Sequence, residues 1–575
     1  MATRSIVPRA DNEGGIGTTL KKWATGFIKA LTVDTVNLLT LTAQAVGFTL
    51  SGGTTSKTLT VSADTTLTGS PYTPGGTDVA IADGGTGAST AADAFTALKQ
   101  TATESATGVV KLAGNAAALV GTGTDSAVTP NDLSYVLSQY MAGWNLIGIP
   151  GAAGFGVGVC PPDDLPSGMT PMDGCYILGN DNYGNYRYVD GSIMVYVPRF
   201  YYRIANASNP TYAAYGVNSA DIKGIDTYAS TALANLELYA LHRMFIDGGV
   251  EQPGVFVDKY KCSKNAWGTG YIASSIKDGL PLSSAAAHNP FADLTGGANY
   301  YYSAIDLAHR RDGVDGAVNA SSNFFCCSKF IHGGLALLSL AHGQAASGTT
   351  HCAWYHATYN YPKGCNNDAL GDTNDAAVSY VSDGYSNCGK TGSGSPFAKT
   401  THNGQNCGVA DLNGLMYEIS TGVTCDGTNF YVAKQSTAMK TFTNGTSSAT
   451  DHWGATGIAA MMDTLTVPFI TGNDGWIYFG NGANQVLAED VSGNSWLLTG
   501  LGLPDSIDGL SASGTNLYGA DGLYGYIINT LCVISCYAWS NGSISGVWGV
   551  NWNDVRDGSH NYVSFRLACY PDLAE

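Results

Sequence analysis

Near its C-terminus the chain reads Trp539-Ser-Asn-Gly542, then Gly546-Val-Trp548 and Asn551-Trp-Asn553, and finally Ser564-Phe-Arg-Leu-Ala568. Between Trp548 and Tyr562 lie two Trp, three Asn, two Asp, and one each of Arg, Ser, His and Tyr. Antibody paratopes use this mixture of rigid aromatic rings and short polar side chains, and binding residues concentrate on loops held by rigid elements. The composition predicts a binding loop held by a final strand. An ordinary surface loop with aromatic packing is the alternative.

The side chains expected to contact a ligand are the aromatic, amide, charged and imidazole groups of this stretch: Trp548, Asn551, Trp552, Asn553, Asp554, Arg556, Asp557, His560, Asn561 and Tyr562. Aromatic and Arg side chains usually carry most of the binding energy of an interface. We therefore expect Trp548, Trp552, Arg556 and Tyr562 to lie at the surface. Phe565 and Leu567, in contrast, should anchor the last strand inside the core.

Two earlier segments complete a recognisable pattern. The first is Pro253-Gly-Val-Phe-Val-Asp-Lys-Tyr-Lys261, and the second is Gly408-Val-Ala-Asp-Leu-Asn-Gly-Leu-Met-Tyr-Glu-Ile419. Together with the C-terminus, and in this order, they resemble the fold shared by formylglycine-generating enzymes and phage-encoded C-type-lectin-like receptor binders. In the second segment Gly414 and Glu418 match the family motif, whereas Leu415 replaces an Asn and Tyr417 replaces a Trp.

The resemblance implies an α+β C-type-lectin-like head with large insertions, residues 141–575, that binds a host-cell receptor through its C-terminal loop. In some of these lectin-like proteins a retroelement diversifies that loop, and the diversified positions favour Asn, Asp, Ser, Tyr and His. The loop from Asn551 to Tyr562 is rich in these residue types. The expected receptor is a bacterial surface glycan or an outer-membrane protein.

The N-terminal residues resemble the beginning of phage tail fibres. The stretch is Ser5-Ile-Val-Pro-Arg-Ala-Asp-Asn-Glu-Gly-Gly-Ile-Gly-Thr-Thr-Leu-Lys-Lys-Trp23. Many tail fibres and tailspikes begin with a similar phrase, which is associated with their virion-proximal end. Residues 1–45 are therefore expected to attach the chain to phage tail or baseplate proteins. A disordered terminus is the alternative.

Residues 46–140 are dominated by Thr, Ser, Gly and Ala, and alternations such as Thr58-Leu-Thr-Val-Ser62 predict short strands. Ala106-Thr-Gly-Val-Val-Lys-Leu-Ala113 and Gly123-Thr-Asp-Ser-Ala-Val-Thr-Pro130 resemble a repeat found in many phage fibres. The segment has too few apolar side chains to fold alone. We therefore predict a thin, fibrous shaft or collar in which three chains form a homotrimer. A flexible linker is the alternative.

Composition limits the class of protein further. The chain has 575 residues and a net charge of −18, with 74 Gly, 33 Tyr and only 13% charged residues, which predicts a mostly β protein with some α. Nucleic-acid binding needs clustered Lys and Arg, and Lys21-Lys22 is the most basic stretch, so no nucleic-acid partner is expected. No long apolar run and no apolar N-terminal signal occur, so we expect synthesis in the host cytoplasm and a final location in the virion tail.

Several Cys and His residues could in principle form a catalytic or a metal site. Cys532-Val-Ile-Ser-Cys536 lies where the formylglycine-generating enzymes carry catalytic cysteines, but its apolar neighbours predict a buried strand, and most of the 13 Cys are expected to be buried thiols. His351, His356, Cys365 and Cys388 fit no standard zinc spacing, so no cofactor is expected. The family sometimes holds a structural Ca²⁺ near a turn that corresponds to Asp411–Glu418, although Leu415 in place of the Asn weakens this idea.

The expected function is that of a phage tail fibre, not an enzyme. The alternative is a tailspike-type polysaccharide-degrading hydrolase, which would need paired carboxylates. Acidic residues are scattered along the chain, so their spacing neither establishes nor excludes such a pair. Depolymerising tailspikes usually carry long parallel β-helices, and the sequence shows no regular β-helical repeat.

Overall fold

The computed structural model of the chain describes residues 111–112, 126–127, 143–355, 368–372, 375–443, 455–479, 487, 490–507, 518 and 521–572. The chain divides into two units, Met1–Gly108 and Val109–Glu575, and every described residue belongs to the second. The predicted attachment segment, residues 1–45, lies outside the described residues. So does the predicted shaft, residues 46–140, apart from two short strands.

The strands of the described residues are, in chain order, β1 Lys111–Leu112, β2 Ser126–Ala127, β3 Met169–Pro171, β4 Asn185–Tyr188, β5 Ile193–Pro198, β6 Phe200–Ile204, β7 Ala220–Gly224, β8 Ala240–Leu241, β9 Ile246–Asp247, β10 Val250–Glu251, β11 Gly254–Asp258, β12 Ser263–Trp267, β13 Gly270–Ser274, β14 Phe325–Cys326, β15 Tyr417–Ser420, β16 Val423–Cys425, β17 Phe430–Ala433, β18 Met462–Leu465, β19 Asn473–Tyr478, β20 Gly522–Tyr526, β21 Val533–Ser535, β22 Val550–Trp552, β23 Val563–Ser564 and β24 Leu567–Cys569. Most are short, as a chain rich in turn residues predicts.

The α-helices of the described residues are α1 Tyr212–Tyr215, α2 Thr231–Leu236, α3 Ala292–Thr295, α4 Ser303–His309, α5 Lys329–Ala345, α6 Ala455–Met461 and α7 Gly493–Gly500. Strands thus outnumber helices, and the prediction of a mostly β chain with some α is confirmed. Within the part of the chain that the structure describes, no helix is long and apolar enough to cross a membrane.

The final strand, β24, lies next to the edge strand β14 in a six-stranded sheet, sheet A, whose order is β14-β24-β11-β5-β4-β3. In β24, Ala568 is opposite Val257 of β11 and Phe325 of β14 in antiparallel register. Phe565 and Leu567 are fully buried, so the prediction that they anchor the C-terminus in the core is confirmed.

A second six-stranded sheet, sheet B, has the order β19-β20-β22-β21-β15-β23. The chain leaves sheet B at the end of β22, crosses β21 and β15, and returns as β23, which runs parallel to β15. Residues 553–562 make this crossing, and we refer to them as the C-terminal loop. Two residues after β23, the chain enters β24 of sheet A. The C-terminal loop is therefore fixed at both ends by strands of the core.

Helix α5 is the longest described helix and is buried on all sides except at its last residue, Ala345. Ser328 caps it by accepting a hydrogen bond from the Ile331 amide at 3.3 Å. Gly333 allows a close approach, because a Cβ there would lie 2.4 Å from the carbonyl oxygen of Gly500. An apolar helix without a polar face is expected at the centre of a large core, and α5 provides that centre.

Strands β1 and β2 come from the two phrases that resemble a fibre repeat. They pair in parallel, with Lys111 opposite Ser126 and Leu112 opposite Ala127. The repeat therefore brings its two halves together as neighbouring strands.

Candidate functional site

The three segments that share the family pattern meet in one group of buried charges. Arg566 donates to Glu418 through Nε to Oε2 at 2.5 Å and through Nη2 to Oε1 at 2.7 Å, and Lys261 also donates to Oε1. Arg311 contacts both oxygens of Asp258, at 2.5 and 2.9 Å. Arg566 also donates to the carbonyl of Asp258 at 2.8 Å, which joins the two groups. We call these five residues the buried charge cluster.

The charges of the buried charge cluster are paired. Its three cations exceed its two carboxylates by one, and the buried Asp190, 3.7 Å from Arg311, supplies a third carboxylate beside them. Burial alone would raise the pKa of Glu418, but the charges of Arg566 and Lys261 hold that pKa well below its ordinary value. Burial likewise raises the pKa of Asp258, and the Arg311 charge opposes the shift. All five side chains are fully or almost fully inaccessible to solvent. Because its charges contact each other and not the surface, the cluster joins sheets A and B and does not present a reactive site.

The turn at Asp411–Glu418 does not suit a calcium ion. The Lys261 ammonium contacts the Asp411 carbonyl at 2.6 Å as well as the Glu418 carboxylate, and Arg566 covers the rest of that carboxylate. Leu415 is buried among apolar residues. A divalent cation here would have to displace two cations from their partner, so these residues do not fit calcium binding.

The predicted exposure of Trp548, Trp552 and Arg556 is wrong. Trp552 is 0% exposed with its ring 5.2 Å from that of Phe430, and Trp548 is 2% exposed against Tyr518 and Phe479. Arg556 is also buried. The strand period explains Trp552, because Val550 and Trp552 alternate with Asn551 and point into the core. These three residues belong to the fold and not to a contact surface.

The remaining predicted residues are half-buried or exposed. Asn551, Asn553, Asp554, His560, Asn561 and Tyr562 are half-buried, and Asp557 is exposed, as is Ser559. The His560 and Tyr562 rings stack with centroids 4.8 Å apart and planes 13° apart. This part of the C-terminal loop presents imidazole, phenol, amide and carboxylate groups side by side.

Backbone hydrogen bonds hold the C-terminal loop along its length. The Cys532 amide donates to the Asp554 carbonyl at 2.8 Å, and the Arg556 amide donates to the Thr530 carbonyl at 3.0 Å. Ser284 fixes the distal part, because its hydroxyl donates to the His560 carbonyl at 3.1 Å and accepts from the His560 amide at 3.0 Å. The loop backbone is therefore preorganised, while Asp557 and Ser559 are exposed and most of the other side chains of the loop are partly accessible.

Residues from distant parts of the chain complete the surface around the loop. Tyr301 is buried beside the loop, with its hydroxyl 3.5 Å from Asp554 and its ring 6.3 Å from His560. Its neighbours Tyr300 and Tyr302 are exposed and half-buried, with ring centroids 5.3 Å apart. The Tyr385 hydroxyl accepts from the Asn561 amide group at 3.1 Å. We call the C-terminal loop together with Tyr300, Tyr302 and Tyr385 the loop face.

Tyr300, Tyr302 and Tyr385 are not among the site residues predicted from the sequence. The turn signature Asp383-Gly384 marks the segment of Tyr385 as a loop, but local patterns carry no information on a contact between residues 176 positions apart. The cluster of tyrosines at Tyr300–Tyr302 was a visible signal, and its proximity to Asp554 could not be derived from spacing.

A row of aromatic rings supports the loop face from sheet B. Tyr562 contacts the buried Tyr417, and Tyr417 contacts Tyr537, with ring centroids 6.0 and 5.5 Å apart. Tyr537 in turn contacts Trp476 at 5.7 Å, which packs against Tyr524 at 4.9 Å. Aromatic pairs at these separations stabilise one another. The row therefore gives the loop face a rigid base.

The thiols behave as expected for buried structural groups. Cys532 and Cys536 flank β21 and are buried, which confirms the predicted buried strand. Burial raises the pKa of Cys536 to about 12, and burial also raises the pKa of Cys532. Neutral, inaccessible thiols are poor nucleophiles, so this pair does not support redox catalysis. His356 and Cys365 lie outside the described residues.

Comparison with known proteins gives little information about this chain beyond that of its own residues. No family model matches the chain, and no curated protein matches it. A solved structure titled "Major Tropism Determinant U1 Variant" is similar at 11% identity and a TM-score of 0.21, over 68% of this chain and 65% of that chain. The chain thus spans about 65% of the length of that structure. The function proposed for this chain therefore rests on its own geometry.

Proposed function

We propose that the chain is a phage tail fibre whose C-terminal, C-type-lectin-like head recognises a receptor on the host-cell surface through the loop face. One observation carries the proposal. The C-terminal loop has a backbone fixed at Asp554, Arg556 and His560, while Asn553, Asp557 and Tyr562 remain accessible. Accessible polar side chains on a fixed backbone are what a contact surface requires.

The geometry suits reversible recognition of a polar surface. Preorganisation lowers the entropy lost on binding, and Tyr contributes a large contact area with few rotatable bonds. The amide and carboxylate groups of Asn553 and Asp557 can hydrogen-bond to hydroxyl or amide groups of a partner. The stacked His560–Tyr562 pair offers an aromatic edge beside them. A bacterial surface glycan or a polar epitope of an outer-membrane protein would satisfy both kinds of group.

The remaining parts of the proposed function concern the rest of the chain. Residues 1–45 attach to phage tail or baseplate proteins, residues 46–140 form a trimeric shaft, and the fibre resides in the virion without nucleic acid or enzymatic activity. The parallel pairing of β1 with β2 supports an ordered repeat in the shaft region. Light scattering on the full chain should give about three times 59.7 kDa. A monomeric mass at micromolar concentration would contradict the shaft proposal.

Adsorption of purified protein to host cells tests the loop face. The double variant Asp557→Ala/His560→Ala should lose at least about tenfold in affinity for host cells, because it removes two accessible polar groups from one surface. Its matched control is Asp173→Ala/His351→Ala, which removes the same groups from exposed positions outside the loop face. The control should adsorb like the parent chain.

Two results would contradict this proposal. Equal adsorption by the loop and control variants would place the receptor site elsewhere. Release of reducing sugar from host capsule by the parent chain would favour the alternative hydrolase.

A further inference from the structure

A group of potential metal ligands lies directly beneath the loop face. His288, Asp383 and Cys388 each offer one ligand atom, and these atoms lie within 4.8 Å of one another. The His288 and Asp383 side chains are almost completely shielded from solvent, and Cys388 is buried. Asp383 and Cys388 stand at the two ends of one tight turn, closed by a 2.9 Å hydrogen bond from the Asp383 amide to the Cys388 carbonyl.

Both ring nitrogens of His288 face oxygen atoms. Its Nδ1 lies 2.9 Å from the Asn561 carbonyl oxygen, which can only accept a hydrogen bond, so Nδ1 carries a proton. Its Nε2 lies 2.6 Å from Asp383 Oδ2, so these two atoms share a hydrogen bond. A metal ion would take the place of the proton in that hydrogen bond, with Nε2 and Oδ2 as two of its ligands.

The donor set matches the preference of zinc. Zinc binds imidazole nitrogen, carboxylate oxygen and thiolate sulfur at about 2.0–2.3 Å in a tetrahedral arrangement. Ligating His residues commonly donate their other N–H to a backbone carbonyl, as His288 Nδ1 does to Asn561. Tetrahedral binding would separate Nε2 and Oδ2 by about 3.4 Å, so the side chains would open slightly around the ion.

A second group of the same ligand types provides a comparison within the chain. His332, Glu418 and Cys536 also place their ligand atoms within 4.8 Å of one another. Here Arg566 and Lys261 already neutralise Glu418. His332 Nδ1 lies 3.1 Å from the Ser328 carbonyl oxygen and 3.2 Å from the Ser420 hydroxyl, and its Nε2 lies 3.2 Å from Glu418 Oε2. The two cations that already contact Glu418 oppose the entry of a third, so we expect no metal ion in this group.

We propose that His288, Asp383 and Cys388 bind a zinc ion that fixes the loop face. The fourth position of the tetrahedron is left for water or another donor. The ion tethers the turn of Tyr385 to the segment of His288, and His288 holds the C-terminal loop at Asn561. Metal binding requires the Cys388 thiolate and unprotonated His288 Nε2 and Asp383, so two protons are released to solvent when the ion enters: one from the thiol and one from the His288–Asp383 hydrogen bond. The sequence predicts no cofactor, and the convergence of these three distant residues in the fold is the observation that leads to the zinc proposal.

Metal analysis of the full chain, purified without a metal-affinity tag, tests the proposal. The parent chain should hold one zinc ion per chain. Exchange with Co²⁺ should give a thiolate-to-cobalt charge-transfer band. Cys388→Ser and His288→Ala should lose the zinc and the band. Cys536→Ser is the matched control and should keep both, because its thiol belongs to the group that Arg566 and Lys261 neutralise.

The result is decided independently of receptor binding, since zinc content and cobalt absorption are measured on the free protein. A parent chain that binds no zinc from micromolar solution and shows no thiolate–cobalt band overturns the proposal, even if every variant fails to fold. Full zinc content in folded Cys388→Ser overturns it as well. Chelation of the parent chain should expose the loop to trypsin, with cleavage after Arg556 detected by mass spectrometry, and unchanged resistance would disprove the role in fixing the loop.

Discussion

The buried charge cluster and the C-terminal loop use similar side chains for opposite purposes. In the cluster Asp258, Glu418 and Arg566 contact one another and are closed to solvent. In the loop the backbone is held by hydrogen bonds, whereas Asp557 and His560 face outward. The two regions are neighbours in the chain, because Arg566 follows the loop by four residues.

The difference shows which signal indicates function in this molecule. Asp258, Glu418 and Arg566 are the most distinctive residues of the sequence motifs, yet their charges pair with one another inside the protein and are not available to a partner. A group is available to a partner only where the backbone supplies the structural hydrogen bonds and leaves the side chain free. Stability and adsorption measurements can separate the two regions, and the variants below run from the largest expected change in the free energy of unfolding to the smallest.

Glu418→Gln should have the largest effect. It leaves Lys261 and Arg566 as two buried cations without a carboxylate, and breaking a buried ion pair from one side costs about 3–5 kcal/mol. Urea unfolding of the variant measures the loss. Glu251→Gln is the control, because Glu251 pairs with Arg199 at 3.1 Å on the surface and should matter by less than about 1 kcal/mol. Similar losses in both variants would show that the cluster does not hold the sheets together.

Trp552→Ala should cost about 3–5 kcal/mol of stability, because it removes a fully buried ring that packs on Phe430. Tyr562→Ala should cost less than half as much, since that ring is half-buried. Thermal unfolding of both variants gives the comparison. Adsorption of whatever Trp552→Ala protein remains folded should be unchanged. A stable Trp552→Ala variant that fails to adsorb would show that Trp552 contributes to receptor binding.

The mostly β fold, the buried final strand and the buried cysteines could be predicted because they follow from local properties: turn-rich composition, apolar alternation at Phe565 and Leu567, and apolar neighbours of Cys532. The burial of Trp548 and Trp552 could not be predicted from composition. A Trp in a short strand faces the core or the solvent according to register, and register depends on pairing with Leu523 and Ser535 far away in sequence.

The residues of the proposed site could be predicted only in part, for the same reason. Asp557 is exposed and His560 and Tyr562 are half-buried, so these three predicted residues remain candidates for receptor contact. Tyr302 and Tyr385 join them through contacts between distant segments. In the group of proposed metal ligands, His288 lies 95 positions before Asp383 and further still before Cys388. No spacing rule for metal ligands covers such separations.

Acid should destabilise the core through its buried histidines. Burial lowers the pKa of His402 and of His242 to about 3, and that of His342 to about 4, against 6.5 in an unfolded chain. The folded state therefore binds fewer protons than the unfolded state at pH values between these limits. Stability should be full above pH 6.5 and fall as pH decreases, by about 1.4 kcal/mol per pH unit for each histidine.

The pH effect is checked by urea midpoints between pH 7.5 and 5. His402 accepts from the Val409 amide at 3.0 Å, which protonation would break. His402→Gln should be less stable at pH 7.5 but show a shallower pH dependence. An unchanged slope would mean that His402 is not neutral in the folded chain.

Ser284→Ala should cost about 1–2 kcal/mol, because the His560 amide and carbonyl lose their partner. Adsorption should weaken beyond what stability explains, since the distal part of the C-terminal loop is then free to move. Ser339→Ala is the control: its hydroxyl donates to the Leu335 and His402 carbonyls inside the core, so it should lower stability by a similar amount without affecting adsorption. Equal adsorption of the two variants would show that bracing by Ser284 is irrelevant to recognition.

The smallest effect on stability is expected at Tyr300. Tyr300 is 37% exposed and contacts the Tyr302 ring. The pKa of Tyr302 is raised by burial first, and then by the neighbouring Tyr300 hydroxyl and Asp557 carboxylate. Exposed substitutions usually change stability by less than about 0.5 kcal/mol. Because Tyr300 belongs to the loop face, Tyr300→Ala should nevertheless weaken adsorption, by about 2 kcal/mol. Tyr271→Ala removes an equally exposed phenol from strand β13 and should leave adsorption unchanged. A Tyr300→Ala variant that adsorbs like Tyr271→Ala would confine the receptor contacts to residues 553–562, because the tyrosines would then serve only to pack beside the loop.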